Sequence, residues 1–210
     1  MSMRLRADDA LVVVDIQYDF LPGGNLAVAG GHEIIEPVNR LARRFANVIQ
    51  TQDWHPAGHI SFASSHPGLA PFQTIELPYG IQVLWPDHCI IGTKGAQFSA
   101  ALDIPHVQAV IRKGYRETID SYSGFLENDH KTSTGLAGYL RERGLKRLFV
   151  CGLATDFCVA WTAEDGIEMG FETVVIEDAT RAIDTAGSLD ASRTRMDAMG
   201  VARIKIADLL

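Results

Sequence analysis

The sequence predicts an α/β fold in which helices cover a mostly parallel β-sheet, and three observations carry that prediction. Short β-branched runs recur along the whole chain, longer segments of helical period lie between them, and the apolar runs lack the polar alternation of a half-exposed strand. A length of 210 residues is ample for a core of its own at roughly 150 residues per domain. Residues 1–210 are therefore expected to form a single domain. Hydrophobic residues make up 47% and charged residues 21%, which excludes collagen-like, fibrous and disordered classes.

The strands are predicted at residues 10–14, 47–51, 107–111, 146–151, 173–176 and 202–206, each short and apolar enough to lie centrally in a sheet. A helix is expected over 32–45, where Ile34, Ile35, Val38, Leu41, Ala42 and Phe45 recur at helical spacing. Residues 134–143 and 188–199 repeat the pattern, the latter with Leu189, Met196 and Met199. Another helix should follow the fourth strand, with Thr155 or Asp156 as its cap and Val159, Ala160 and Ala163 inside. Residues 56–82 are rich in Gly, Pro, Ser and His and lack a period, which predicts a long functional loop. Pro22-Gly23-Gly24 and Gly30-Gly31 have neither G-x-G-x-x-G spacing behind a strand nor a Walker lysine, so they read as turns.

Charge and cysteine usage narrow the function classes. With 19 basic and 26 acidic residues the net charge is −7, and no long basic run offers a nucleic-acid surface. The apolar run at 11–14 stops at Asp15 without the h-region of a signal peptide, and no run approaches the ~20 residues of a membrane span. Three cysteines, Cys89, Cys151 and Cys158, suggest free thiols in a reducing compartment, so a cytoplasmic protein without membrane or nucleic-acid partners is expected. Oligomeric state is left open, a homo-oligomer included.

Ligands of open parallel α/β sheets bind beyond the carboxyl ends of the strands, and the residues found there are chemically distinctive. Asp15 closes the first strand, Asp53 and His55 follow the second, Lys113 follows the third, and Cys158 lies just beyond the fourth. A charged residue at a strand end is usually a solvated turn residue, but four such strands deliver an acid, a ligand pair, an amine and a thiol to one rim. Cys158 falls in the first turn of its helix, where backbone N–H groups and the helix dipole favour a thiolate and can bind an oxyanion. A buried small hydrophobe is the ordinary role of a free cysteine, and Cys151, inside a strand, fits it better. Asp15 could accept the thiol proton and return it to a leaving amine, with Lys113 supporting both anions, a group suited to cleaving an amide.

Asp53 and His55 stand at i and i+2, which an extended segment directs to one side, so one metal ion could take both. His88, in Trp85-Pro86-Asp87-His88, is the expected third ligand, and three Asp and His ligands describe a catalytic site with open positions. Such a set accepts zinc first, with iron or manganese also compatible. His59 and His66 stay open, whereas His32, His106 and His130 read as ordinary histidines. Phe20, Trp85 and Tyr122, each close in sequence to a candidate site residue, could wall a pocket for a flat ring.

These segments together closely resemble the nicotinamidase (pyrazinamidase) family of the isochorismatase-like hydrolases over essentially the whole chain. The resemblance is carried by Val14-Asp15-Ile16-Gln17-Tyr18-Asp19-Phe20, Gln52-Asp53-Trp54-His55-Pro56 with His59-Ile60-Ser61-Phe62, and Trp85-Pro86-Asp87-His88-Cys89. Lys113-Gly114, Ser121-Tyr122-Ser123-Gly124-Phe125 and Gly152-Leu153-Ala154-Thr155-Asp156-Phe157-Cys158-Val159 complete it. It implies a three-layer αβα fold with an open six-stranded sheet in Rossmann-like order, helices on both faces, and a metal-binding excursion at about 53–90. It also implies a catalytic triad of Asp15, Lys113 and Cys158, one divalent ion on Asp53, His55 and His88, and a ring pocket of Phe20, Trp85 and Tyr122. A cis peptide between Leu153 and Ala154 would turn the Ala154 N–H towards an oxyanion beside that of Cys158. His59 serves as a further ligand in one branch of the family only.

The activity implied is conversion of nicotinamide to nicotinate and ammonia in NAD salvage, with pyrazinamide as a second substrate. The alternative within the superfamily is a ureido or carbamoyl amidase. A rival of another class is a thiol redox or metal-sensing protein using Cys158 and Cys89 with His55 and His88, which has no use for Asp15 and Lys113.

Overall fold

Residues 3–210 are described in a computed structural model, and these described residues run through eight strands and four α-helices. The strands are β1 (Asp9–Val14), β2 (Val48–Asp53), β3 (Thr74–Leu77), β4 (Gly80–Val83), β5 (Ala109–Lys113), β6 (Arg147–Leu153), β7 (Glu172–Arg181) and β8 (Ala202–Ile204). The helices are α1 (Ile35–Ala42), α2 (Leu136–Glu142), α3 (Ala160–Glu168) and α4 (Ser188–Met199). Six strands form one sheet in the order β5-β2-β1-β6-β7-β8, and every neighbouring pair is parallel. Counted within that sheet alone, this is the Rossmann strand order, with its reversal between β1 and β6.

Burial explains why the central strands show no alternation in sequence. Every residue of β1, β2 and β6 is buried, and successive side chains point to opposite faces, so both faces of the sheet are covered. Full burial of side chains such as Leu11, Ile49 and Leu148 stabilises the fold by about 1.5–3 kcal/mol each. Among the described residues, no helix is long and apolar enough to cross a membrane.

Differences from the predicted boundaries have local causes. The helix expected over 32–45 begins as a 3₁₀ turn, Gly31–Ile34, and becomes α-helical only at Ile35. Pro37 lacks the N–H that would bond one turn back, and proline is tolerated only in a first turn. Strand β7 runs on to Arg181, past the apolar segment that ends at Ile176, because a register shift opposite Val150 and Gly152 lets it re-pair with β6 at Thr180 and Arg181. Gly152 sits at φ +114°, where a Cβ would lie 2.1 Å from the Val14 carbonyl oxygen. Only glycine permits that approach of β6 to β1. The aperiodic segment 56–82 holds most of an antiparallel hairpin, β3 with β4, whose strands are only four residues each and so too short to stand out from their surroundings.

Candidate active site

The site lies at the carboxyl ends of β5, β2, β1 and β6, four adjacent strands spanning the point where the sheet order reverses. Asp15 follows β1 in the left-handed region at φ +47°, a conformation uncommon for a non-glycine residue. Asp53 ends β2 and Lys113 ends β5, as direct partners in the parallel register. Cys158 lies in a π-helical turn, Thr155–Val159, that leads into α3. Ala154 opens that turn with extended backbone and no side-chain cap, so the expected cap at Thr155 or Asp156 is not formed. The Asp156 carboxylate instead accepts the Ile183 N–H at 3.0 Å, the Asp184 N–H at 2.8 Å and the Ser188 hydroxyl at 2.5 Å. The peptide between Leu153 and Ala154 is cis.

Lys113 is the hub of a fully buried charge cluster. Its Nζ pairs with Asp15 Oδ2 at 2.9 Å and with Asp53 Oδ1, donates to the Ser121 carbonyl at 2.9 Å, and reaches Cys158 Sγ at 3.4 Å. Burial alone would lower the lysine pKa, but Asp15 and Asp53 hold it well above its ordinary value, so it is an ammonium. The two carboxylates are driven apart. Burial would raise Asp53, yet Lys113 and the two neighbouring histidines, His55 and His88, hold it well below the usual carboxylate range. Asp15 is raised, chiefly by burial and secondarily by the Asp53 charge, against the pull of Lys113. Asp15 is thus the carboxylate that more readily takes a proton, and such divergence marks acid–base assignments. Burial also pushes the Cys158 thiol well up, against the pull of the Lys113 charge. A carboxylate oxygen of Asp15, one of Asp53 and Cys158 Sγ lie within 4.8 Å of one another.

Asp53, His55 and His88 also converge, with ligand atoms within 4.8 Å of one another. His55 Nδ1–H donates to the Gly114 carbonyl at 2.8 Å and His88 Nδ1–H to the Pro86 carbonyl at 2.8 Å. A carbonyl can only accept, so Nδ1 is the protonated nitrogen of each ring and Nε2 is the one left to serve a ligand. Both Nε2 atoms lie 3.6 Å from Asp53 Oδ2. Three electron-rich atoms facing one another in a buried space fit a cation, and Asp with two His suits a divalent metal. Gly114 makes this possible, since at φ +66° a Cβ there would lie 2.4 Å from His55 Cε1. His59 stands apart from Asp53 and His88. Its ring nitrogens pair with Ser61 Oγ at 2.7 Å and the Ile119 carbonyl at 3.2 Å, and it clusters with His55 and Asp120. His66 binds the Ile60 carbonyl at 2.7 Å.

Beside these groups is a small pocket that both Cys158 and His88 line. Phe20, Trp85 and Tyr122 wall it as expected. Trp85 meets Phe157 edge-on at 4.8 Å between centroids, Tyr122 meets Phe157 at 5.5 Å, and Trp85 Nε1–H donates to the Tyr122 hydroxyl at 3.2 Å.

The chain matches the Isochorismatase domain family over residues 9–208. The chain belongs to the isochorismatase family. It is 54% identical to a nicotinamidase of Acinetobacter baylyi over 210 residues, covering 100% of this chain and 98% of the relative. Among solved structures it resembles a nicotinamidase/pyrazinamidase of Acinetobacter baumanii, with a TM-score of 0.96, 58% identity, and coverage of 97% of this chain and 98% of that one. A pyrazinamidase of Pyrococcus horikoshii solved in complex with zinc matches with a TM-score of 0.78 and 34% identity over 95% of this chain and 99% of that one.

Within this isochorismatase fold, Asp15, Asp53, His55, His88, Lys113 and Cys158 come together beside Phe20, Trp85, Tyr122 and Ala154, whereas His59 and His66 do not line the pocket; four other pocket residues, Leu26, Asp120, Phe157 and Ile183, were not anticipated. Phe157 adjoins Cys158 and could have been found by its position. Leu26 and Ile183 lie in irregular segments, and only the tertiary fold brings them to the pocket.

Proposed function

We propose that this protein is a cysteine amidohydrolase that converts nicotinamide to nicotinate and ammonia and takes pyrazinamide as a second substrate. The observation that carries this reading is the placement of Cys158 and its charged partners beside a small aromatic-walled pocket. The 54% identity over the full chain to a nicotinamidase supports the substrate. The flat pyridine or pyrazine ring lies among Phe20, Trp85, Tyr122 and Phe157, and the carboxamide carbon meets Cys158. These aromatic walls favour a ring over the linear ureido and carbamoyl amides of the alternative reading.

The reaction follows from the proton inventory of the cluster. Asp15 takes the proton from Cys158 Sγ as sulfur attacks the carboxamide carbon, and the ammonium of Lys113, 3.4 Å from sulfur, stabilises the developing anion. The backbone N–H groups of Ala154 and Cys158, at the opening turn before α3, bind the tetrahedral oxyanion. Collapse breaks the C–N bond, Asp15 returns its proton to the departing ammonia, and a thioester remains. Water then adds with Asp15 as base, the C–S bond breaks, and nicotinate leaves as Cys158 recovers its proton. Asp53, His55 and His88 would hold one divalent ion, zinc first, which supplies a Lewis-acid anchor for the ring nitrogen. Three unpaired cysteines suit a reducing cytoplasmic setting.

Equal release of ammonia and nicotinate from nicotinamide by the purified protein is the expected result. No release from metal-replete protein would sink the reading and make ureido and carbamoyl amides the next substrates.

A further inference from the structure

Gln82 is completely buried, although its neighbour Ile81 in the same hairpin strand, β4, is 71% exposed. A buried primary amide inside an exposed hairpin calls for partners, and this one has them on every side. Its Nε2 lies 2.7 Å from Asp120 Oδ2 and 3.0 Å from the Tyr122 hydroxyl, as well as 2.7 Å from the Val83 carbonyl. Its Oε1 accepts from the Tyr79 hydroxyl at 3.2 Å and from Asn128 Nδ2 at 3.3 Å. Asn128 Oδ1 in turn accepts the backbone N–H of Tyr122 at 2.9 Å. One side chain thus ties the hairpin to both ends of the segment that presents Asp120 and Tyr122 to the pocket.

We propose that Gln82 is a positioning residue for the aromatic ring of the substrate, acting through the Tyr122 hydroxyl and Asp120. This inference rests on the amidohydrolase reading above and adds a specificity element to it. The Gln82 amide has two N–H groups, and with one on Asp120 and the other on Tyr122 the Tyr122 oxygen receives an N–H from both Gln82 and Trp85. That pair of bonds fixes the Tyr122 ring against Trp85, at 6.2 Å between centroids and 81° between planes. Without Gln82, Asp120 Oδ2 loses a 2.7 Å donor beside the pocket, and the wall can reorient. The reacting atoms are untouched, because Gln82 contacts neither Cys158 nor Asp15 in any hydrogen bond.

The test is a double-mutant cycle of Gln82→Leu and Tyr122→Phe, with Ile81→Thr as a hairpin control. Kinetics with nicotinamide are read beside calorimetric binding of nicotinate. Gln82→Leu should raise KM and the nicotinate Kd about tenfold, the effect of losing one or two such bonds, while kcat changes less than about threefold. In the Tyr122→Phe background the same substitution should cost clearly less than in the wild type, because the hydroxyl is gone and only the bond to Asp120 is left to lose. Ile81→Thr should match the wild type. A full additive loss, a loss confined to kcat, or unchanged KM and Kd would overturn the proposal. If Gln82→Leu does not fold, Gln82→Met takes its place, and failure of both would make Gln82 a stability residue and overturn it equally. The two readings fail separately: wild type inactive on nicotinamide and unable to bind nicotinate indicts the amidohydrolase assignment, whereas an active wild type with an unaffected Gln82→Leu variant indicts Gln82 alone.

Discussion

Gly114→Ala is the perturbation whose consequences can be worked furthest from the structure. Gly114 has φ +66°, and a Cβ there would lie 2.4 Å from His55 Cε1 and 2.7 Å from His55 Nδ1. A non-glycine residue in the left-handed region costs roughly 1–2 kcal/mol, and forcing an extra carbon into packed surroundings costs roughly 1–3 kcal/mol. The expected destabilisation is therefore about 3 kcal/mol, or a fall in Tm of roughly 10 °C for a chain of this size. Relief of the contact requires the His55 ring to move by about 1 Å, from 2.4 Å to an ordinary 3.4 Å. That movement breaks the 2.8 Å bond from Nδ1 to the Gly114 carbonyl, which sets the ring's tautomer and direction. Loss of such a supporting bond typically weakens metal binding about 10–100-fold. Gly135→Ala separates the two contributions, because Gly135 has φ +98° with nothing within 4 Å of its added carbon. It should lower Tm modestly and leave zinc affinity intact. The assays are thermal unfolding and competitive zinc titration with a chromophoric chelator. Wild-type zinc affinity in Gly114→Ala would refute the argument that this glycine exists to admit the His55 ring.

The remaining predictions concern the charge cluster and its surroundings. Asp15→Asn should lower kcat by about 10²–10⁴, the usual range for a lost general base, while zinc content and nicotinate binding stay near wild type. The acid limb of kcat/KM should be centred above the ordinary aspartate value of about 3.9, because burial raises Asp15 and only its ionised form can take the thiol proton. A limb at or below that value contradicts the assignment. Removal of the metal by chelator should raise KM for nicotinamide more than it lowers kcat, and a loss in kcat at constant KM would count against ring anchoring. Asp165, on α3, has its pKa raised chiefly by burial, and its Oδ2 has no hydrogen-bond partner. A carboxyl raised in the folded state favours folding below the unfolded value and loses that advantage as pH rises through the folded one. Asp165→Asn should therefore raise Tm at neutral pH, with the gain vanishing below about pH 4, and equal shifts at both pH values would contradict the argument.

The strand ends were legible because a parallel sheet buried on both faces forces apolar runs, so the polar residue that closes each run marks the rim. Asp15, Asp53, Lys113 and Cys158 were all found that way, and the i, i+2 spacing of Asp53 and His55 placed a ligand pair before any contact was known. Other features depend on tertiary context that no local pattern encodes. Asp156 reads as a helix cap in sequence, but its carboxylate is occupied by the loop at Ile183 to Ser188, and Ala154 opens the turn instead. In the short hairpin of β3 and β4 the polar Gln82 is buried while the apolar Ile81 beside it is exposed, the reverse of what residue type alone suggests. The thiol of Cys158 was expected to be acidified by the helix terminus, whereas its burial acts in the opposite direction, and that burial is not encoded in the local sequence.

The central claim is that Cys158 attacks the carboxamide of nicotinamide, and the most direct measurement is intact-protein and peptide mass spectrometry of enzyme acid-quenched during turnover. The account predicts a nicotinoyl adduct on the peptide bearing Cys158, absent from Cys158→Ala and absent when nicotinamide is omitted. Sustained ammonia release by Cys158→Ala, or an adduct on Cys89 instead, would contradict it.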